Sequence, residues 1–130
     1  MSLKKKNLLN LASIVNLRTE ATNNKYLEFI EINKKNNCIY CDKELFVREF
    51  QYWVILENRF PYDQIAELSH MLSPKRHVAR EEDFTEEERL ELLQIKETEM
   101  GDYDLILEST QNTKSRPEHF HLHLLRYYRK

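Results

Sequence analysis

The sequence predicts an α+β fold in which an antiparallel sheet of about five strands is covered by one main helix and preceded by an N-terminal helical extension. Near the C-terminal end, histidines alternate with bulky apolar residues over 119–125, which is the period of a β-strand. Residues 85–95 begin with a helix cap and continue at helical spacing, and residues 1–36 carry apolar side chains at similar spacing. Elements of both kinds in one short chain favour a single sheet packed against helices.

Composition limits the class of protein and its partners. The chain has 130 residues, 41% hydrophobic and 32% charged, enough to bury about two-thirds of its unfolded surface in one core. A net charge of -2 argues against nucleic acid as a partner but allows a small nucleotide. No apolar run approaches the ~20 residues of a membrane span and no signal-peptide cleavage site is recognisable, so we expect a cytoplasmic protein. The single glycine excludes a glycine-rich phosphate loop.

The beginning of the chain differs from the rest. We predict an N-terminal helical extension at residues 1–36 and a domain at residues 37–130. Apolar residues recur around 8–15 and 26–32, which predicts one or two amphipathic helices broken around residues 22–24. The extension either packs as a cover over one side of the sheet or serves as a dimer contact or a lid over a pocket.

The middle of the chain carries strand and turn signals. Residues 45–56 are rich in aromatic and β-branched residues and predict a hairpin or two short strands, and a turn follows at 57–63. Residues 66–73 are expected to form the next strand. That strand ends at a corner that contains Pro74 and His77.

The main helix is predicted to begin at a capping box, Thr85-x-x-Glu88, and to run up to Gly101. Its buried face should consist of four apolar residues: Leu90, Leu92, Leu93 and Ile95. A further strand is expected at residues 103–108. The loop at 109–118 then leads to the histidine run.

Three histidines of the last strand share one face. Because side chains alternate along a strand, His119, His121 and His123 project from one side and the apolar residues between them from the other. A lone histidine on an apolar strand is more often a satisfied structural residue than a catalyst. Three in alternation each need a partner, a metal or a substrate, so this patch is the candidate functional site.

The histidine run resembles the signature of the histidine-triad (HIT) superfamily, His-φ-His-φ-His-φ-φ with φ an apolar residue. The resemblance covers residues 38–126 and includes the zinc-containing branch that is similar to galactose-1-phosphate uridylyltransferase. It implies a HIT-like sheet and a nucleotide substrate: a purine nucleoside phosphate, a phosphoramidate or a dinucleotide. The implied activity is that of a hydrolase or nucleotidyltransferase acting at an α-phosphate through a nucleotidyl-histidine. Members of the family are commonly dimers, so a homodimer is compatible with the resemblance.

The resemblance also implies roles for individual residues. The middle histidine, His121, would be the nucleophile, and His123 would stabilise charge on the phosphoryl oxygens. Asn58 matches the residue that meets the ribose hydroxyls in the uridylyltransferases. Donors in the loop before the strand would hold phosphate oxygens: Gln111, Asn112, Lys114, Ser115 and Arg116. The family usually has a serine three residues before the first histidine and glycines in this loop, whereas here Arg116 stands at that position and the loop has no glycine.

The two cysteines, Cys38 and Cys41, form a Cys-x-x-Cys pair. In a cytosolic protein such a pair is a redox pair, half of a tetrahedral zinc site or two free buried thiols. By resemblance to the family, the remaining zinc ligands are His77 and His119. A Cys2His2 set suits a closed, structural Zn²⁺.

Two features leave alternatives open. His70 lies four residues before Pro74, whereas many relatives carry a histidine five residues before it. One residue of slippage turns a strand side chain to the opposite face, so a structural role for His70 is favoured. The altered loop suggests a non-catalytic, zinc-stabilised nucleotide-binding or scaffold protein as the alternative function, although retention of all three histidines favours chemistry.

Overall fold

The computed structural model describes residues 16–33, 38–110 and 119–129. The elements in these residues are α1 (Glu20–Asn33), β1 (Phe46–Glu49), β2 (Trp53–Glu57), β3 (Ala66–Pro74), α2 (Glu86–Thr98), β4 (Leu105–Leu107) and β5 (Leu122–Tyr127). Short 3₁₀ turns lie at Ile39–Cys41, Lys43–Leu45 and Glu81–Asp83. The predicted α+β fold is confirmed. Neither described helix has the length and hydropathy of a membrane-spanning segment.

The five strands form one sheet in the order β1-β2-β3-β5-β4, and every neighbouring pair is antiparallel. The last strand along the chain therefore lies inside the sheet, between β3 and β4. Met71 stands opposite His123, and Leu72 stands opposite Leu122. Because directly opposite residues of an antiparallel pair point to the same side, the histidine face and the apolar face of β5 continue across the sheet.

Helix α2 packs on the apolar face. The main core cluster combines β5 side chains with residues from β2, β3 and α2: Trp53, Ile55, Leu72, Val78, Phe84, Leu92, Ile95, Phe120, Leu122 and Leu124. Trp53 is fully buried, and its indole N–H donates to the carbonyl of Glu88 at 2.8 Å. Helix α2 covers the apolar face of the sheet. The histidines lie on the opposite face, which is covered by other parts of the chain.

Helix α2 begins as predicted. The hydroxyl of Thr85 accepts from the N–H of Glu88 at 3.1 Å, and the Glu88 carboxylate accepts from the N–H of Thr85 at 2.7 Å. This capping box satisfies two amide groups that the first turn leaves without a helical partner. The helix ends at Thr98 rather than near Gly101, since residues 100–103 form a turn that leads towards β4.

The buried face of α2 differs from the prediction. Of the four predicted residues, two are buried: Leu92 and Ile95. Leu90 and Leu93 are 60% and 57% exposed, so their assignment to the core is wrong. Glu88 faces the core instead, because the guanidinium of Arg76 and the N–H of Thr85 satisfy its carboxylate.

The described part of the N-terminal extension is the continuous helix α1, so the break predicted around residues 22–24 is wrong. The first turn is anchored from outside the helix. Asp63 accepts from the N–H of Thr19 at 2.8 Å and from the hydroxyl of Thr22 at 2.5 Å. Asparagine in a helix costs less than about 1 kcal/mol, which such an anchor offsets. The helix predicted around residues 8–15 lies outside the described residues.

Candidate functional site

The three histidines of the predicted site are all buried on the sheet face opposite α2. His119, His121 and His123 are 0%, 3% and 3% exposed. Three segments cover them: the turn Ile39–Cys41, the loop between β2 and β3, and the start of α1. The side chains therefore lie under neighbouring chain and not on an open sheet surface.

Four potential metal ligands converge at one end of the histidine row: Cys38, Cys41, His77 and His119. Their ligand atoms all lie within 4.8 Å of one another. His119 Nδ1 lies 3.0 Å from Cys38 Sγ, 3.7 Å from Cys41 Sγ and 3.1 Å from His77 Nδ1. The edges of a tetrahedral Cys2His2 zinc site measure about 3.3 to 3.8 Å, given the usual bond lengths to sulfur and nitrogen. The cluster is therefore compatible with zinc.

The protonation of His119 also suits a ligand. Its Nε2 lies 2.9 Å from the carbonyl oxygen of Pro74, which can only accept, so Nε2 carries the proton and the Nδ1 lone pair faces the cysteines. A backbone carbonyl behind a ligating histidine is a common way to orient it. Burial, with a contribution from Cys41, raises the pKa of Cys38 to about 12. Redox-active Cys-x-x-Cys pairs have lowered pKa values, so the raised pKa of Cys38 does not favour a redox pair.

His121 has the tautomer of a nucleophile. Its Nδ1–H donates to the carbonyl of His119 at 3.1 Å, so Nε2 carries the lone pair. The hydroxyl of Tyr40 lies 3.2 Å from this Nε2, and the two rings stack with centroids 4.4 Å apart and planes 18° apart. Because the lone pair lies in the imidazole plane, a nearly parallel ring contacts Nε2 from the ring face and not along the lone pair.

His123 has a similar neighbour but a different environment. Its Nε2 lies 3.1 Å from the hydroxyl of Tyr62, on which its ring stacks at 4.3 Å. Its Nδ1 is buried and has no hydrogen-bond partner among the described residues. Burial, with smaller contributions from His121 and Arg18, lowers the pKa of His123 to about 3. His123 is therefore neutral at physiological pH.

This low pKa predicts a pH-dependent contribution to stability. Between the ordinary histidine pKa of 6.5 and about 3, the unfolded chain binds a proton at residue 123 that the folded chain does not. Wild-type protein should therefore lose stability, relative to His123→Asn, by about 1.4 kcal/mol for each pH unit below 6.5. Denaturant unfolding with zinc held constant should show about 2 kcal/mol of this relative loss between pH 8 and pH 5. Parallel pH profiles for the two proteins would show that His123 is not held neutral by the fold.

A pocket lies beside His121 and His123. Its wall is mainly aromatic and includes Tyr40 and Tyr62, the two rings that stack on the histidines. Among the described residues that line it, only Arg18 carries a formal charge. Arg18, and Tyr26 on α1, make the described part of the N-terminal extension part of the pocket wall.

The structure places one predicted nucleotide contact at this pocket. Asn58 lies directly after β2 and lines the pocket, with its Oδ1 accepting from the N–H of Phe60 at 3.0 Å. The predicted phosphate donors of the loop lie outside the described residues: Gln111, Asn112, Lys114, Ser115 and Arg116. The contacts of all these residues with a ligand remain predictions.

His70 lies away from the site. It stands opposite Leu124, so it shares the face covered by α2. Its Nδ1 lies 2.6 Å from the hydroxyl of Tyr103, and burial lowers its pKa. These contacts agree with the structural role that its spacing favours.

Three residues of the site were not predicted from the sequence: Arg18, Tyr40 and Tyr62. Tyr40 lies between the two cysteines. If the cysteines share a metal ion with His119, the ring of Tyr40 is expected near the next histidine of the strand, and this signal was available in the sequence. Arg18 and Tyr62 had no comparable signal, because they reach the site only when α1 and the loop after β2 pack together.

No family model and no curated protein matches the sequence. Solved structures share its fold. A hypothetical histidine triad nucleotide-binding protein from Sulfolobus tokodaii superposes with a TM-score of 0.54 at 16% identity, over 72% of this chain and 70% of that one. HIT family hydrolases from Legionella pneumophila and Clostridium thermocellum superpose with a TM-score of 0.51 at 20% and 21% identity, over 68% and 71% of this chain and 91% of theirs. At these identities the likeness establishes the fold, which is that of histidine triad proteins.

Proposed function

We propose that this chain is a histidine-triad enzyme that cleaves a nucleotide at its α-phosphate, with His121 as the nucleophile. The observation that carries the proposal is the tautomer of His121, whose Nε2 lone pair lies at the wall of a pocket while its Nδ1–H is held by a carbonyl. The fold supports it, because the similar structures are described as a nucleotide-binding protein and as hydrolases. The substrate class is a purine nucleoside phosphoramidate or a dinucleotide.

The chemistry consists of two displacements at one phosphorus atom. In the first, Nε2 of His121 bonds to phosphorus while the bond from phosphorus to the leaving group breaks, and a leaving amine takes up a proton from solvent. In the second, water attacks the phosphorus and loses a proton to solvent, the bond to His121 breaks and a nucleoside monophosphate is released. A covalent intermediate divides one difficult step into two easier ones. A second phosphate in place of water would make the enzyme a nucleotidyltransferase.

Other residues would bind the substrate. His123 is neutral and faces the same pocket, where an imidazole N–H would stabilise charge on the phosphoryl oxygens. Asn58 is proposed to meet the ribose. The proposed phosphate contacts in the loop are Asn112, Ser115 and Arg116. We also propose that residues 1–36 form an N-terminal extension and that residues 37–130 form the domain.

The four converging cysteine and histidine side chains would hold a structural zinc ion: Cys38, Cys41, His77 and His119. Four protein ligands close the coordination shell, so the ion supplies stability and no catalytic water. The ligands come from the turn before β1, the segment after β3 and the residues before β5. Since Tyr40 belongs to the first of these segments, the same cluster positions the ring that stacks on His121.

One observation favours the alternative of a non-catalytic, zinc-stabilised nucleotide-binding or scaffold protein. In the loop before β5, Arg116 stands where the family usually has a serine, and the loop has no glycine. If this altered loop does not hold the phosphate in line with Nε2 of His121, the pocket binds a nucleotide without reacting.

Trapping the intermediate distinguishes the two functions. Wild-type protein mixed with a nucleoside phosphoramidate, quenched in alkali and analysed by intact mass, should carry one nucleotidyl group. His121→Gln is the control and should carry none. Binding of nucleoside monophosphate without adduct or turnover would favour the non-catalytic alternative, and absence of binding would overturn both.

A further inference from the structure

The side chain of Arg18 is held at the pocket wall by its neighbours. Its Nε–H donates to the carbonyl of Phe60 at 2.6 Å. Its guanidinium carbon lies 4.0 Å from the ring centroid of Tyr26 and 4.8 Å from that of Tyr62, at distances typical of cation–π contacts. The plane of the guanidinium is therefore fixed beside the pocket before any ligand binds.

Most of the hydrogen-bonding capacity of Arg18 is unused within the described part of the chain. No carboxylate there pairs with it, and of its side-chain N–H groups only that on Nε has a partner. The two terminal nitrogens carry four further N–H groups, arranged as a fork that matches the oxygens of a phosphate. A fixed, half-buried cation that has no counter-ion among the described residues is suited to an anionic ligand.

No other described residue of the pocket wall is an aspartate, glutamate, lysine or arginine. His121 and His123 lie on one side of the pocket, and the tyrosines and Asn58 surround it. Arg18 lies close enough to act on His123 electrostatically. Its charge contributes, after burial and His121, to the lowered pKa of His123. Among the described residues that line the pocket, Arg18 is therefore the one with a formal positive charge to attract a phosphate placed over the histidines.

We infer that Arg18 binds the phosphate of the nucleotide, so that the N-terminal extension supplies part of the phosphate site. The inference rests on the proposed function and adds a residue to it. It also agrees with the composition of the chain, whose single glycine excludes the backbone cradle that glycine-rich loops provide. A side-chain cation takes the place of such a cradle.

The anchor of α1 provides a matched control. Asp63 holds the first turn of α1 through Thr19 and Thr22, and none of these hydrogen bonds involves Arg18. Asp63 is not among the residues that line the pocket, and Asp63→Asn weakens this anchor without altering the pocket wall. If Arg18 acts only by packing α1 in place, Asp63→Asn should reproduce the effect of losing it.

The test is calorimetric titration of the whole chain, loaded with zinc, with adenosine monophosphate and with adenosine. Adenosine monophosphate is a product of the proposed reaction, so it binds without turnover. Arg18→Gln should weaken binding of the monophosphate about tenfold to a hundredfold, because a charged hydrogen-bonding group is lost, and should leave adenosine binding within about twofold. Arg18→Lys should bind the monophosphate more tightly than Arg18→Gln and less tightly than wild type, since lysine keeps the charge but not the forked arrangement of N–H groups. Asp63→Asn should bind both ligands like wild type.

Each other outcome has a defined meaning. Equal binding of the monophosphate by wild type and Arg18→Gln overturns the role of Arg18 while the proposed function stands. Parallel loss of both ligands in Arg18→Gln and Asp63→Asn assigns Arg18 to packing and also overturns the inference. Failure of wild-type protein to bind the monophosphate overturns the proposed function itself, and that result appears before any variant is compared.

Discussion

Cys41→Ser is expected to lose zinc and most of its thermal stability. The four proposed ligands join three segments that are distant in sequence, and binding energy at a structural zinc site is folding energy. For zinc-finger peptides this energy is on the order of 10 to 16 kcal/mol, so the loss of one ligand should cost several kcal/mol. Metal analysis should give about one zinc per wild-type chain and almost none for the variant.

A second variant separates zinc loss from general damage. His70→Asn alters a part-buried histidine that lies on the other face of the sheet and bonds to Tyr103. It should lower the melting temperature modestly and keep its zinc. Wild-type protein that contains no metal and melts unchanged in chelator would contradict the zinc assignment.

His121→Gln is expected to abolish turnover of nucleoside phosphoramidates and to retain zinc. Glutamine has no nucleophilic nitrogen, so the covalent step fails and the rate should fall by about a thousandfold or more. Glutamine is preferred to alanine because His121 is only 3% exposed and stacks on Tyr40, so alanine would leave a cavity.

The neighbouring variant His119→Gln should lose zinc and activity together. Its imidazole lies within 3.7 Å of both cysteine sulfurs, whereas that of His121 contacts Tyr40. Rates and zinc content should be measured on the same preparations. Full activity in His121→Gln, or equal zinc loss in the two variants, would show that the roles along the strand are misassigned.

The sequence determined the features that depend on neighbours along the chain. Alternation over residues 119–125 separates the histidines from the apolar residues, because successive side chains of any strand point to opposite faces. The capping box at Thr85 forms within a single helical turn and needs no distant partner. The family resemblance carried by the histidine run also brought together four residues whose ligand atoms converge in the structure: Cys38, Cys41, His77 and His119.

The tertiary structure decided whatever depends on contact between distant segments. Leu90 and Leu93 are exposed because the sheet meets α2 along the side of Leu92 and Ile95, a direction that helical spacing alone does not specify. Helix α1 continues through residues 22–24 because Asp63 anchors its first turn from 41 residues away along the chain. Local propensity is worth tenths of a kcal/mol per residue, and packing and hydrogen bonds of this kind outweigh it.

The composition of the pocket was decided in the same way. Tyr40 meets His121 across a separation of 81 residues, and Tyr62 meets His123 across 61. Arg18 reaches the pocket only because α1 docks on the loop after β2, where it bonds to the carbonyl of Phe60. A sequence pattern records which side chains share a strand face. Which rings and charges from other segments cover that face follows from how the chain packs, because burial and charge pairing are satisfied across the whole molecule.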